Sequence, residues 1–242
     1  MGLYFSGVYD VRPVIQTESP WMSKGWLSNI EAYGEMLRRN GTEWPSNHKL
    51  VEICRGLGDE PILDIGGGFG DNYYLLRSAL VGKSYHIVDN QASIDVGDRF
   101  WCGVVDKPIF HSAIPDLRFG LAICIGVLMF MDNWKGFIRG LCGRVNRVFI
   151  SRSVFAREKG TFYTIIDVNP SYGQYAFQSA GECAVAVINI GELEAVFRGC
   201  GFRLEYKEHK QDYSPQMALL PEGYNKADYY DLCFERVKWL GY

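Results

Sequence analysis

The segment Asp64-Ile65-Gly66-Gly67-Gly68-Phe69-Gly70 constrains this chain more than any other part of it. It continues the short apolar run Pro61-Ile62-Leu63 and leads into a helical pattern from Asp71 to Leu80. A strand that breaks into clustered glycines and then a helix is a tight turn, and its missing side chains let a ligand lie directly on the backbone. The elements that follow keep the alternation. Ser84–Asp89 reads as a second strand closed by an acid, and Lys107–His111 as a weak third. Phe119–Val127 reads as a fourth strand, Asp132–Cys142 as the helix after it, and Arg147–Val154 as a fifth strand. Strands separated by helical segments make parallel βαβ units, so the expected fold class is α/β with a doubly wound sheet.

The flanks are read by the same periodicities. Ser23–Arg39 places Trp26, Leu27, Ile30, Tyr33, Met36 and Leu37 at helical spacing, and Ser46–Leu57 repeats the device, so residues 1–60 are expected to form a helical N-terminal cap. Residues 61–154 are the expected ligand-binding core. Residues 155–187 show no clean period. Asn189–Phe197 resumes as a helix, Phe202–Glu208 reads as a strand, and Tyr229–Lys238 reads as a last strand joined antiparallel. Residues 155–242 are therefore expected to supply a substrate-side cap and the final strands. With no repeat and no linker-like stretch, one domain over 1–242 is expected.

Composition excludes several classes. Twenty-five basic residues against 28 acidic ones give a net charge of −3, which is not the basic excess of a dedicated nucleic-acid binder. Seven scattered cysteines without a C-x-x-C fit reduced thiols in a cytoplasmic protein. The longest uncharged apolar run, Phe119–Met131, is too short to span a bilayer, and Met1–Gln16 lacks the order of a signal peptide. No cluster has the carboxylate or histidine spacing of a metal site.

The ligand is read from the residues around the glycines. A dinucleotide fingerprint would need its third glycine at position 71, where this chain has Asp71. An acid there repels a pyrophosphate but tolerates a neutral nucleoside carrying an amino-acid zwitterion. Asp64, just before the turn, can attract a ligand ammonium. Asp89, followed by Asn90, closes the second strand, where a carboxylate accepts both ribose hydroxyls. Gly66, Gly67, Gly68 and Gly70 with these two acids describe S-adenosyl-L-methionine better than a nicotinamide dinucleotide. Two alternatives stay open: an NAD(P)-dependent oxidoreductase, and a cofactor-binding fold that has lost catalysis and serves as a partner subunit.

On these residues, the stretch 61–154 resembles the core of the Rossmann-type (class I) S-adenosylmethionine-dependent methyltransferases. Asp64–Gly70 matches that family's first motif and Asp89 its ribose-binding acid. The resemblance implies a seven-stranded, mostly parallel sheet with a reversed last strand. It also places adenine near His111-Ser112-Ala113 and methionine near Ile125-Gly126. Most of the chain is further similar to methyltransferases of bacterial surface-polysaccharide gene clusters. The residues that carry this are Phe5-Ser6-Gly7-Val8-Tyr9, Val127-Leu128-Met129-Phe130-Met131-Asp132, Ser151-Arg152-Ser153-Val154-Phe155 and the tail 189–202. That group's Asp-Arg-Thr-Pro stands here as Ser151-Arg152-Ser153-Val154, with only the arginine in common. The resemblance implies a small-molecule acceptor, a sugar or nucleotide-sugar hydroxyl.

The acceptor side is sought at the carboxyl ends of strands four and five. Arg152 has the planar fork for a bidentate grip on an acceptor phosphate or carboxylate, and equally suits an edge ion pair. His209 is a candidate base, although Lys207-Glu208-His209-Lys210 also reads as a solvated charge run. Asp167, in the segment without a clear period, is a second candidate base. Asn169-Pro170-Ser171-Tyr172 resembles the motif of nucleic-acid amino methyltransferases but follows strand five rather than strand four, so it reads as a turn.

Overall fold

The computed structural model describes residues 4–15, 20–40, 48–168, 171–172, 175–176, 181–210 and 220–237. Its strands begin with β1 (Tyr4–Tyr9), β2 (Ile62–Ile65), β3 (Tyr85–Val88), β4 (Ile109–His111) and β5 (Phe119–Ile125). They continue with β6 (Val145–Ala156), β7 (Phe162–Val168), the short β8 (Ser171–Tyr172) and β9 (Tyr175–Ala176), β10 (Gly181–Asn189), β11 (Phe202–His209) and β12 (Ala227–Arg236). The helices are α1 (Lys24–Asn40), α2 (His48–Gly56), α3 (Asp71–Leu76), α4 (Gln91–Phe100), α5 (Trp134–Cys142) and α6 (Ile190–Gly199). The chain divides into two compact units, Thr17–Ile123 with Val168–Gly181, and Gly2–Gln16 with Cys124–Asp167 and Glu182–Tyr242.

In the first unit the sheet order is β5-β2-β3-β4, with β2, β3 and β4 parallel. Every residue of β2 is buried, as the unbroken apolar run requires of a strand covered on both faces. Helix α1 buries Ile30, Tyr33 and Leu37, one stripe at helical spacing. Phe69 links the glycine turn to that helix layer, meeting Tyr33 edge-on at 5.9 Å and Phe100 at 5.0 Å. Burying a phenylalanine to 2% exposure contributes roughly 2–3 kcal/mol, so the turn is held down by its apolar residue. The helix expected to reach Leu80 ends at Leu76 and tightens into a 3-10 turn over Arg77–Ala79.

In the second unit the order is β1-β7-β10-β6, with β12 antiparallel to β6 and β11 antiparallel to β12. All seven expected strands form; besides the short β8–β9 pair of the first unit, β1, β7 and β10 of this unit are additional to the seven-stranded expectation. Each was hidden for a physical reason. In β10 the run Cys183–Ile188 is buried at every position, so it carries no alternation. In β7 the half-buried positions Tyr163 and Ile165 are themselves apolar, which erases the contrast with buried Phe162, Thr164 and Ile166. β1 lies in the stretch expected to be a helical cap and instead pairs with β7, Phe5 opposite Ile166. The core of this unit centres on Phe197, stacked on Phe234 at 3.8 Å. Among the described residues no helix is long and apolar enough to cross a membrane.

Candidate functional site

The first unit gathers its candidate residues at the carboxyl edge of β2, β3 and β4. Gly66 donates its N–H to the Val88 carbonyl at 2.8 Å, and Gly70 donates to the Gly67 carbonyl at 3.0 Å as α3 begins. Gly66, Gly68 and Gly70 have φ of 66°, 55° and 94°, where a side chain is strained. Gly67 is required for a different reason. A Cβ there would lie 2.5 Å from Asp64 Oδ2. At Gly68 an added Cβ meets nothing closer than Asp71 Oδ1 at 4.0 Å, so space remains over the turn.

Asp89 ties this turn to the next strand. Its Oδ2 accepts the Gly68 N–H at 2.8 Å, and its Oδ1 accepts from the Asn90 backbone at 2.6 Å and side-chain amide at 2.7 Å. The Ser93 side chain also bonds this carboxylate, so its roughly four lone-pair sites already have donors and a ligand hydroxyl would replace one of them. Burial pushes the Asp89 carboxyl above its ordinary value, against the pull of these N–H donors. Asn90 also caps α4, its Oδ1 accepting the Ser93 N–H at 3.1 Å.

Asp64 is fully buried beneath Gly67. Its Oδ2 accepts the Tyr85 hydroxyl at 2.8 Å and the Asn72 amide at 3.2 Å, while Oδ1 has no hydrogen-bond partner among the described residues. Burial raises the carboxyl to about 7, opposed by those two hydrogen bonds. An orphaned buried carboxylate oxygen costs free energy until a donor reaches it, and a ligand ammonium or a water would be such a donor. Tyr85 and Asn72 were not among the sequence candidates. Nothing in one sequence singles out an aromatic at a strand start or an amide in a first helical turn.

Ser112 is exposed and directly follows β4, where Asp89 N–H donates to the His111 carbonyl at 3.2 Å. His111 Nε2 lies 2.9 Å from His86 Nδ1 with the rings stacked, and burial lowers the His86 pKa. The sequence residues Asp64, Gly66, Gly67, Gly68, Gly70, Asp89, Asn90 and Ser112 thus share one edge.

The second unit brings together Gly126 and Arg152. Gly126, immediately after Ile125 at the end of β5, has φ of 67° and donates its N–H to the Ser151 carbonyl at 2.8 Å. Arg152, at φ 51°, is the one non-glycine residue with positive φ among the described residues. The cause is a β-bulge. Ser153 pairs with Tyr230 and Ile150 with Leu232, so Ser151 and Arg152 together oppose Asp231. Asp231 is fully buried, and accepts the Ser151 hydroxyl at 2.5 Å and the Lys210 ammonium at 2.9 Å. The exposed Arg152 is therefore presented by a strained backbone that its neighbours hold in place.

The two candidate bases lie apart from that bulge. His209 ends β11 opposite Tyr230, which itself pairs with Ser153. At about 4.8 Å per strand its backbone is roughly 10 Å from β6. Its Nε2 sits 3.0 Å from Asp228 Oδ1, and Arg157 binds the other oxygen of Asp228. Asp167 lies in β7 opposite Tyr4, with β10 between β7 and β6. Of Asn169-Pro170-Ser171-Tyr172, the first two lie outside the described residues. Among the described residues no three His, Cys, Asp or Glu side chains converge as metal ligands.

This architecture, with its glycine turn and strand-end acid at one edge, is the Rossmann-like fold of S-adenosylmethionine-dependent methyltransferases of known structure. One such methyltransferase from Clostridium acetobutylicum ATCC 824 superposes with a TM-score of 0.57 at 12% identity, over 86% of this chain and 98% of its own. The N-terminal domain of EvdMO1 with S-adenosylhomocysteine bound gives 0.51 at 14% identity, over 92% of this chain and all (100%) of its own. The [4+2]-cyclase SpnF gives 0.52 at 15% identity, over 93% and 89%. Neither a protein-family model nor a curated protein sequence matches the chain. At these identities the likeness is one of fold.

Proposed function

We propose that the chain binds S-adenosylmethionine at the carboxyl edge of β2, β3 and β4 and passes its methyl group to a small acceptor, a sugar or nucleotide-sugar hydroxyl. The observation that carries this reading is the glycine turn itself, tied to Asp89 through the Gly68 N–H and underlain by Asp64 with an unsatisfied Oδ1. A dinucleotide pyrophosphate at this turn would face Asp71 in the first turn of α3. When bound, the cofactor supplies a methyl group on a sulfonium, open to in-line displacement.

The residues of the chain then have defined tasks. Asp89 accepts ribose hydroxyls in place of its present donors, and Asp64 draws the cofactor ammonium to the edge of β2. Ser112 flanks the adenine, and the resemblance assigns Ile125 and Gly126 to the methionine portion. Arg152 grips an anionic group of the acceptor, which a nucleotide sugar supplies as its diphosphate. Asp228 orients His209 by accepting from Nε2, which leaves Nδ1 as the proton acceptor. Positioning of donor and acceptor supplies most of the acceleration. Support for a sugar comes from the EvdMO1 N-terminal domain, crystallised in the presence of S-adenosylhomocysteine and D-fucose. SpnF shows that the same fold also serves a cyclase.

The test has two stages. Titration calorimetry with S-adenosylhomocysteine should show binding that Gly68→Arg abolishes and Asp89→Ala weakens, whereas binding of NAD(P)H instead would establish the oxidoreductase reading. Labelled methyl from S-adenosylmethionine should then enter a nucleotide-sugar fraction. Tight donor binding with no transfer to any fraction would point to a partner subunit.

A further inference from the structure

Asp231 lies on β12, the strand between β6 and β11, and its carboxylate is fully buried. A charge so placed needs partners, and two come from opposite sides. From β6 the Ser151 hydroxyl donates to Oδ1 at 2.5 Å, the length of a charge-assisted bond. From the end of β11 the Lys210 ammonium binds Oδ2 at 2.9 Å and Glu208 at 2.6 Å. Glu208 and Asp231 stand opposite each other across the β11–β12 pair, so the lysine keeps two like charges from meeting unshielded. Ser151 makes a second bond through its backbone, where its carbonyl accepts the Gly126 N–H at 2.8 Å just past β5. A Cβ on Gly126 would stand 3.8 Å from the Arg152 Cβ, so the end of β5 and the bulge lie side by side. Ser151 therefore ties three strands together, and the residue after it is Arg152 at φ 51°. A left-handed backbone under a long side chain persists only while its surroundings enforce it.

We propose that Asp231 is a positioning residue of the methyl-transfer site: by fixing Ser151 it sets the backbone of Gly126 and that of Arg152 together. This rests on the reading given above, in which Gly126 serves the methionine portion of the donor and Arg152 grips the acceptor. Asp231 is fully buried and acts through Ser151. Without that carboxylate the Ser151 hydroxyl loses its 2.5 Å acceptor, and Arg152 is released from the left-handed region toward the extended backbone ordinary to a strand. The Ser151 carbonyl then shifts under the Gly126 N–H that it holds. Donor seat and acceptor grip loosen together, although neither Gly126 nor Arg152 has been changed. Lys210 bonds the other carboxylate oxygen, so it neutralises the buried charge without touching Ser151's side of the carboxylate.

Titration calorimetry with S-adenosylhomocysteine, run on the full-length chain well below the melting point of each variant, separates positioning from folding. Asp231→Ala should weaken binding about 10-fold or more. Ser151→Ala removes the hydroxyl but keeps the carbonyl, and should weaken binding to a similar degree. The double variant should bind within about 2-fold of the weaker single one, because both act through one bond. Asp231→Asn keeps an oxygen for the Ser151 hydroxyl and should restore affinity to within about 3-fold of wild type, even though it melts lower. Hydrogen exchange read by mass spectrometry should quicken over residues 120–131 in both alanine variants. A purely structural carboxylate would lower the melting temperature of Asp231→Ala and leave the affinity of the folded protein unchanged. That result overturns the proposal, as do additive losses in the double variant. If the wild type itself fails to bind S-adenosylhomocysteine, the donor reading falls and this inference with it. Normal wild-type binding with no loss in either alanine variant removes the inference alone. Ser151→Ala carries the test should Asp231→Ala not fold.

Discussion

Replacing Asp64 by asparagine should make the protein more stable at alkaline pH while removing donor binding. The carboxyl is fully buried and held at about 7, against an ordinary value of 3.8. A carboxyl whose folded value is raised contributes most to stability when protonated. Stability from this group is complete below pH 3.8, declines as pH rises, and is fully lost above about 7. At 1.36 kcal/mol per tenfold, ionising Asp64 in place costs up to about 4 kcal/mol at pH 8. Asparagine keeps an oxygen for the Tyr85 hydroxyl and avoids that charge. A gain of roughly 2 kcal/mol, allowing for relaxation, raises the Tm by about 4–8 °C at pH 8 for a chain of this size. At pH 5 only about 1.6 kcal/mol of that cost has accrued, so after the same allowance the difference in Tm should shrink to about 1.5–3 °C. Thermal unfolding at the two pH values measures this, and calorimetry with S-adenosylhomocysteine measures the accompanying loss of affinity. A variant destabilised equally at pH 5 and pH 8 would refute the reasoning. It would mean that Asp64 acts through its shape and hydrogen bonds rather than through its buried charge.

Other substitutions test the remaining parts. Gly67→Ala places a methyl 2.5 Å from an Asp64 oxygen that Tyr85 and Asn72 hold in place, so it should cost about 1–3 kcal/mol in urea unfolding and lower donor affinity about 10-fold or more. Arg152→Gly removes a strained left-handed side-chain residue and should stabilise the fold by about 1 kcal/mol, while raising the acceptor KM at least about 10-fold with donor affinity unchanged. If KM does not move, the arginine is an edge residue only. Asp231→Ala leaves the buried Ser151 hydroxyl without its partner, while Lys210 keeps Glu208 at 2.6 Å, and should cost about 1–3 kcal/mol. His209→Gln should lower kcat about 100-fold with donor affinity unchanged, and an unchanged kcat assigns His209 to its contact with Asp228 alone.

The first unit was readable because its information is local. A strand that is apolar throughout, a turn whose glycines answer to backbone dihedrals, and an acid at the next strand end are all written in consecutive residues. Their convergence at one edge follows from parallel βαβ geometry, which returns each strand in the same direction. The second unit was less readable, because its information lies in pairings across the chain. β10 looked patternless since both faces are covered, and β1 reached β7 across more than a hundred and fifty residues, as the Thr164 hydroxyl bond to the Ser6 carbonyl illustrates.

The glycine turn and its acids, and with them the fold class and the proposed donor, were determined by sequence alone, because backbone dihedrals and strand periodicity are properties of neighbouring residues. The tertiary structure decided what each acid is bonded to. Asp64 lies under Gly67 with Tyr85 and Asn72 on one oxygen, and Asp89 is shared between Gly68 and Asn90. It also decided that Arg152 sits on a bulge held by Asp231. Burial, strand register and the meeting of side chains from distant elements depend on how the chain packs, and no short-range pattern encodes them.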